Sequence, residues 1–383
     1  MKLWMWIGIG VGTLLAGAVI WIGGTAYWAK KANADYVWKF VTNNPEKAAI
    51  TLRRDGQTIA QSNSDRVMPL ASAVKTMIAI EYAKQAAAGT IHPEERVPLS
   101  VLDRYYLPNL DGGAHPAWLA YIEESSKAEG DAVTLEEVAK GMIRYSSNAN
   151  TDYLQDKLGL ERIHGTIAEL GLRHHEPLFP LNGALLIPYE LMKGYSGLDG
   201  NEAKAKAKEE LFAMPADVFR AMAVQTSGKL KADADGSYKR EANLRSWYDP
   251  EFDRFYSDRL TGSTTQEYAS VMAKLNGRDH FTAEVHRYLD PVMEGLMENP
   301  ANRELFRHAG RKGGSTAYVL TDAIYATAKD GTRTELALFF NGLNAVEMMK
   351  LSAGLNAFEL KLLTEPLYAE TVGRKIGSGE ARP

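Results

Sequence analysis

Residues 72–88 read S-A-V-K-T-M-I-A-I-E-Y-A-K-Q-A-A-A, with apolar side chains at helical spacing and Gly89 directly after them. This pattern predicts an amphipathic helix that ends at the glycine. Ser72 and Lys75 are three residues apart at its start, so their side chains share a face. A lysine kept from water loses its proton near neutral pH, and a neutral amine beside a hydroxyl is a base–nucleophile pair. The alternative is that Ser72 caps the helix and Lys75 is solvated.

Strand patterns lie at both ends of the chain, and helical patterns lie between them. The strands flank Asp-Gly turns, which favour tight hairpins, and they cover Ala48–Leu52, Gln57–Gln61, Thr316–Thr327 and Glu335–Phe340. Residues 345–363 form a predicted final amphipathic helix. We therefore expect an α/β (α+β) fold, in which one antiparallel sheet from both chain ends packs against helices and an all-α subdomain.

The helical part contains a polar stretch, residues 195–261, that is also rich in aromatic side chains. That many aromatic residues indicate a folded insertion and not a flexible linker. We place the sheet part at 35–70 and 310–370, the helical part at 71–309 and the insertion at about 183–246.

The composition excludes several functions. Lys and Arg number 44 against 48 Asp and Glu, a net charge of −4, so no basic surface for nucleic acid is expected. The absence of cysteine excludes disulfides, a cysteine nucleophile and thiolate metal sites. His174-His175-Glu176 is no His-Glu-x-x-His zinc motif, because Phe179 stands at the last position. We expect no cofactor.

The N-terminal stretch, residues 3–29, carries no charged side chain. About 20 apolar residues suffice to cross a bilayer as a helix, and the tryptophans near both ends of this stretch are typical of spanning helices. The alternative is a signal peptide cleaved at Ala32-Asn33-Ala34, but the apolar run exceeds the ~7–15 residues of such signals. We expect residues 1–34 to be a membrane anchor with a transmembrane helix.

Two further motifs carry groups that fit the chemistry of the first. Ser146-Ser147-Asn148 lies between two predicted helices, where a serine can pass a proton to a leaving group and an amide can hold a carbonyl; the alternative is a helix cap. Lys312-Gly313-Gly314-Ser315 begins a predicted strand, and its glycines let a ligand approach the backbone.

Taken in order, these motifs resemble those of the serine β-lactamase and penicillin-binding protein superfamily: Ser-x-x-Lys on a helix, Ser-x-Asn between helices, and Lys-x-Gly on a strand before the last helix. The resemblance is closest to class A β-lactamases and covers Ala48–Gly89, Leu135–Gly171, Ser263–Asn276 and Arg311–Gly342. It implies a class A β-lactamase-like catalytic domain over residues 35–383.

The resemblance implies a role for each residue of the first two motifs. Ser72 would be the acylated nucleophile, with Lys75 as its base or as the relay to it. Ser146 would carry a proton to the leaving nitrogen, and Asn148 would hold the substrate amide.

The strand motif has implied roles and also departs from the class A pattern. Lys312 would supply positive potential, Gly314 and Ser315 would bind substrate, and the Ser315 N–H would form an oxyanion hole with the nucleophile's own N–H. Ser147 stands where class A has Asp, and Gly313 where it has Thr or Ser. Loss of that hydroxyl removes a partner for a substrate carboxylate, and the following strand contains no arginine to replace it.

Class A enzymes activate the deacylating water with the glutamate of a Glu-x-x-x-Asn loop. Residues 247–253, W-Y-D-P-E-F-D, resemble this loop and put Asp249 in the position of the base, with Glu251 as the fallback. The rival segment Leu178-Phe179-Pro180-Leu181-Asn182 keeps Leu-Asn but has a leucine at the position of the glutamate. We predict Asp249 as the base.

The motif set predicts a serine hydrolase that forms an acyl-enzyme at Ser72, of the class A β-lactamase or DD-peptidase type. Its expected partner is a small β-lactam or a peptidoglycan-peptide-like D-Ala-D-Ala amide or ester. The body would be extracytoplasmic and held to the membrane through residues 3–29. The alternative function is a catalytically silent relative that binds or senses a ligand at the cell envelope.

Overall fold

The computed structural model describes residues 33–108 and 110–377. The predicted transmembrane helix at residues 3–29 therefore lies outside the described residues. Among the described residues, no helix is both long enough and apolar enough to span a bilayer.

The strands near the two ends of the described chain are longer than the strands in its middle. In chain order, β1 to β9 are Ala48–Arg54, Gln57–Ser62, Met68–Pro69, Arg96–Pro98, Ala132–Thr134, Gly262–Ser263, Phe306–Ser315, Leu320–Ala328 and Arg333–Phe340. Five of them form one antiparallel sheet in the order β2-β1-β9-β8-β7. The prediction of one antiparallel sheet from both chain ends is confirmed, and β7 is an edge strand.

Helices fill the rest of the described chain. In chain order, α1 to α19 are Ala34–Asn43, Lys75–Ala87, Leu99–Tyr105, Ala114–Glu124, Leu135–Arg144, Asn148–Leu158, Leu160–Glu169, Leu181–Leu185, Ile187–Lys193, Gly200–Ala213, Ala216–Ala232, Ser237–Glu241, Leu244–Trp247, Pro250–Arg259, Thr265–Gly277, Ala283–Met293, Pro300–Leu305, Ala345–Thr364 and Pro366–Gly377. Two 3-10 turns, Ala71–Val74 and Gly295–Glu298, join them.

The strand that carries Lys312 differs from the prediction. Lys312 lies near the end of β7, opposite Ala323 of β8, and does not begin a strand at 316–327. The residues from Thr316 to Val319 instead close the turn between the two strands, where the Thr316 N–H donates to the Val319 carbonyl over 2.9 Å. They cannot join a ladder because they reverse the chain.

The helix that carries the first motif is more deeply buried than an amphipathic helix. Residues 71–74 form a 3-10 turn, and α2 begins only at Lys75. Its two faces are both covered, since α5, α6, α7 and α16 pack around it. A helix that is apolar on all sides belongs in a core, and Met77, Ile78 and Ile80 are all fully buried here.

Two layers of helices cover the sheet. On one side α15 packs against β1, β8 and β9. On the other side α1, α18 and α19 pack together and bury a second cluster of apolar residues. The stretch between α9 and α15 forms helices that share a third apolar cluster, rich in phenylalanine, tyrosine and tryptophan. Residues of this third cluster line one cleft together with the end of β7 and the 3-10 turn at residues 71–74.

Candidate active site

The first motif lies where a strained turn meets a buried helix. Ser72 is in the 3-10 turn directly after Ala71, whose φ of +44° lies in the left-handed region that a residue with a side chain adopts only at a cost. Lys75 is fully buried at the start of α2. Its Nζ donates to the Ser146 carbonyl oxygen over 2.7 Å and to Asn148 Oδ1 over 2.8 Å. The first two predicted motifs are therefore in contact.

The second motif forms the turn between α5 and α6. Ser146 has a φ of +67°, again in the left-handed region. Ser147 is buried and caps α6, because its Oγ accepts from the Asn150 N–H over 3.2 Å. The same Oγ lies 2.9 Å from Nδ1 of His115, which is also fully buried. The serine at the class A aspartate position is thus fixed by a histidine.

The third motif brings a second amine to the same hydroxyl. Lys312 Nζ donates to Ser146 Oγ over 3.0 Å and to the Gly313 carbonyl oxygen over 2.8 Å. Lys75 Nζ lies 3.3 Å from the same Ser146 Oγ. The hydroxyl of Ser146 therefore sits between two lysine amines that are far apart in sequence.

Both amines are buried, and burial lowers the pKa of each. Burial lowers the pKa of Lys75 well below its usual range, and Lys312 lowers it further, against the opposing effect of Asp152. Burial lowers the pKa of Lys312 to about 7, against the opposing effect of Asp322. A neutral Lys75 can accept a proton, while Lys312 exchanges its own proton near neutral pH.

Gly314 explains how β7 comes so close to Ser72. A Cβ at this residue would lie 2.3 Å from the Ser72 backbone N and 2.9 Å from the Leu70 carbonyl oxygen. Thr321 of β8 holds the same turn, because its Oγ1 donates to the Leu70 carbonyl over 2.7 Å. Only a glycine lets the strand backbone approach the Ser72 N–H in this way. Ser315, the last residue of β7, lines the same cleft as Ser72.

The structure places the predicted base elsewhere. Asp249 caps α14, where its Oδ1 accepts from the Glu251 N–H over 2.9 Å. Its Oδ2 lies 3.1 Å from Lys208 Nζ, and the Glu251 carboxylate lies 3.3 Å from the same amine. The Glu251 N–H and Lys208 both lower the pKa of Asp249. Neither acid lines the cleft at Ser72, so the base position assigned from sequence is a helix start paired with a surface lysine.

The rival segment lies closer to the site, but its contacts are structural. Leu178 is buried in the main core. The backbone N–H groups of Leu181 and Asn182 each donate over 2.8 Å to the carboxylate of Asp152. Burial raises the pKa of Asp152 to about 7, against the opposing effect of those N–H groups.

Asp152 and His115 are two buried residues of the site that the three sequence motifs do not include. Asp152 follows Asn148 by one helical turn on α6, and this i, i+4 spacing was the one signal in the sequence that could have pointed to it. His115 lies on α4, and nothing near it in the sequence indicates its contact with Ser147.

The groups meet in one large cleft, with a volume of about 920 Å³. Its walls come from the three motifs, from β7 and β8, and from the helices that follow α8. The residues contributed by these helices are mostly apolar or aromatic, and they include Leu185, Leu244, Tyr248, Tyr256 and Leu260. Within the described residues, no cluster of histidine, aspartate and glutamate is arranged to hold a metal ion.

Comparison with known proteins agrees with this geometry. The model of the beta-lactamase enzyme family matches residues 33–230, just over half of the chain. The chain therefore belongs to the beta-lactamase enzyme family, and the resemblance to the serine β-lactamase and penicillin-binding protein superfamily is confirmed. A search of curated proteins found no match.

Solved structures show the same fold at low sequence identity. A beta-lactamase from Sphaerobacter thermophilus is 18% identical with a TM-score of 0.51, and the alignment covers 90% of this chain and 98% of that one. A class A beta-lactamase representative from Bacteroides cellulosilyticus is 14% identical with a TM-score of 0.50, covering 86% and 96%. These likenesses establish a class A β-lactamase-like fold.

Proposed function

We propose that this protein is a serine hydrolase that forms an acyl-enzyme at Ser72 with a β-lactam or with a D-Ala-D-Ala-like amide or ester. The observation that carries the proposal is the position of Ser146 Oγ, 3.3 Å from Lys75 Nζ and 3.0 Å from Lys312 Nζ. A hydroxyl between a neutral amine and an amine that titrates near pH 7 is a route for protons between nucleophile and leaving group.

In the proposed acylation, Ser72 Oγ bonds to the carbonyl carbon while its proton passes to the neutral Lys75 Nζ. The carbon–nitrogen or carbon–oxygen bond of the substrate breaks, and its leaving atom takes the proton of Ser146 Oγ. A lysine amine beside Ser146 returns that proton. Backbone N–H groups at Ser72 and Ser315 stabilise the negative charge on the carbonyl oxygen, and each such donor is worth ~2.7–4 kcal/mol.

We further propose that the acyl-enzyme is long-lived, as in a penicillin-binding protein. In the class A pattern a carboxylate activates the water that hydrolyses the ester, and Asp249 lies outside the cleft. Among the described residues, no carboxylate hydrogen-bonds to Lys75, whose partners are Ser146 and Asn148. The acids that do line the cleft already accept hydrogen bonds from the protein; they are Asp111, Asp253 and Asp322.

The decisive experiment is mass spectrometry of the intact protein after incubation with benzylpenicillin and with its methyl ester. We expect a covalent adduct of one ligand on Ser72, which persists after excess ligand is removed. Ser72→Ala should form no adduct, while Ser125→Ala, at an exposed serine after α4, should behave like the wild type. If neither compound acylates the wild type, the protein is not an acyl-enzyme former for this class and the silent binding module becomes the better reading.

We also propose that the protein is anchored by residues 3–29 with its body outside the cytoplasm. The support is the uncharged stretch itself, together with a site suited to cell-wall substrates. Alkaline carbonate extraction should leave the full chain in the membrane pellet, and protease added to intact spheroplasts should degrade the body. A chain released by carbonate would contradict the anchor, and a protected body would contradict the orientation.

A further inference from the structure

The strand residue before Lys312 is an arginine whose charge is already used. Arg311 Nε donates to Asp322 Oδ2 over 2.7 Å, and its Nη2 also contacts that oxygen. Nη1 donates to Asn356 Oδ1 over 2.7 Å, and Nη2 lies 3.3 Å from Glu359 Oε2. Each guanidinium nitrogen is therefore engaged by β8 or α18.

The two acids that hold this arginine are themselves buried. Asp322 is 1% exposed and Glu359 is 2% exposed. Burial raises the pKa of Glu359 well above its usual range, and Asp322 raises it further. A raised pKa favours the protonated carboxyl of Glu359, which is a hydrogen-bond donor for Asp322. Asp322 Oδ1 and Glu359 Oε1 have no hydrogen-bond partner among the described residues, so each is available to a proton held between the two carboxyl groups.

This cluster forms the wall of the cleft beside the third motif. Asp322 lies directly opposite Gly313 in the β7–β8 ladder, and a Cβ at Gly313 would lie 2.9 Å from Asp322 Oδ2. Arg311, Asp322 and Asn356 all line the same cleft as Ser72. The wall therefore occupies the part of the cleft where a hydroxyl and an arginine would bind a substrate carboxylate. The sequence lacks both groups there.

The charges of this wall cancel. Arg311 is positive and Asp322 is negative, so this pair offers no net charge to an anion. Among the described residues that line the cleft, the other cation is Lys312, whose pKa burial lowers to about 7. A ligand carboxylate placed here would have to break the Arg311–Asp322 pair or lie beside the Asp322 carboxylate without a counter-charge. Like charges in contact within a poorly solvated cleft repel strongly.

We propose that Asp322 is a specificity-determining residue, and that the wall it forms with Arg311 selects acyl donors that carry a neutral group, such as an ester or an amide, in place of a carboxylate. This inference rests on the proposed acyl-enzyme chemistry at Ser72. The inference identifies the carboxylate as the substrate group that the cleft rejects. The acyl-enzyme chemistry at Ser72 does not by itself specify this group.

Benzylpenicillin and its methyl ester test this selectivity directly, since they differ only in the carboxylate. Acylation rates are measured by quenched-flow intact mass spectrometry, and each rate is divided by the compound's own rate of alkaline hydrolysis. We expect the wild type to prefer the ester by about tenfold or more. A wild type that prefers the acid overturns the selectivity and leaves the acyl-enzyme function standing. A wild type acylated by neither compound overturns both.

The variants must remove both acids, because Glu359 would ionise against Arg311 once Asp322 lost its charge. The double variant Asp322→Asn/Glu359→Gln is compared with Glu359→Gln alone, and we expect its preference for the ester to fall about tenfold. The matched control, Glu359→Gln/Asp330→Asn, adds the same charge at the exposed β8–β9 turn and should leave the preference unaltered. An unaltered preference in the Asp322 double variant, with its circular dichroism spectrum intact, overturns the role of Asp322. If that double variant does not fold, the wild-type ratio of the ester and acid acylation rates is the measurement that tests the proposal.

Discussion

Replacing Gly314 with alanine tests whether the approach of β7 to the turn that carries Ser72 is required for the proposed acylation. The added Cβ would lie 2.3 Å from the Ser72 backbone N, whereas ordinary contact begins at 3.4 Å. The obstacle is backbone on both sides, because Leu70 O and Ala73 N lie 2.9 Å from the same Cβ. No side chain can rotate away, so the strand and the turn must separate by the difference, about 1.1 Å.

A misplacement of about 1 Å in an active site costs roughly 100-fold in rate. We therefore expect Gly314→Ala to acylate about 100-fold more slowly than the wild type, because the oxyanion donors on β7 and on the turn no longer face one point. The matched control is Gly165→Ala in α7, where a Cβ would meet nothing within 4 Å. A helical glycine replaced by alanine should stabilise the protein by ~0.5–1 kcal/mol and leave the rate unchanged.

The assay is the quenched time course of adduct formation with benzylpenicillin methyl ester, run beside thermal unfolding of each variant. Thermal unfolding separates a local loss of geometry from a failure to fold. If folded Gly314→Ala acylates at the wild-type rate, the strand does not supply the geometry we assign to it, and the oxyanion hole must be built from other groups.

Three further changes follow from the contacts and charges of the site. Because the pKa of Lys312 is lowered to about 7, the Lys312 amine is charged below that pH and neutral above it. The acylation rate should therefore decline above about pH 7. The variant Lys312→Arg keeps its charge and should lose this decline in a pH–rate profile. Asp249→Asn should leave the lifetime of the acyl-enzyme unchanged, since Asp249 pairs with Lys208 outside the cleft; a longer lifetime by mass spectrometry would restore it as the base. His115→Ala removes a fully buried ring 2.9 Å from Ser147 Oγ and should lower the free energy of unfolding in urea by about 3 kcal/mol; a loss below about 1 kcal/mol would argue against this support.

Local signals in the sequence were sufficient for the hairpins and for the order of the motifs. Asp55 and Gly56 have φ values of +47° and +80°, as a tight turn between twisted strands requires. The strand order was beyond such signals, because β1 pairs with β9 across almost the whole chain. Pairing of that kind depends on tertiary packing, which no short window of sequence contains.

The position of Asp249, the predicted base, outside the cleft shows that one stretch of sequence can match two local patterns. The run Asp249-Pro250-Glu251 was interpreted as a catalytic loop because of its similarity to one. The same three residues are also a helix start, with aspartate as the cap, proline at the first position and an acid in the first turn. The structure shows the helix start, because Asp249 caps α14 and its carboxylate pairs with Lys208. Asp152 and His115 were missed for the opposite reason, because their importance lies in burial and in distant partners.

Two departures of the sequence from the class A pattern lie at facing positions in the sheet. Gly313 lacks the class A hydroxyl and β8 lacks an arginine, yet Gly313 and Asp322 face each other in the ladder. Because a Cβ at residue 313 would lie 2.9 Å from Asp322 Oδ2, a larger residue there requires the Asp322 carboxylate to shift slightly. Glycine therefore leaves the Asp322 carboxylate undisturbed in its pair with Arg311, and this pair engages the arginine two residues before Gly313. A threonine at 313 alone would restore the hydroxyl without building a carboxylate site, because Arg311 would still be held by Asp322, Asn356 and Glu359.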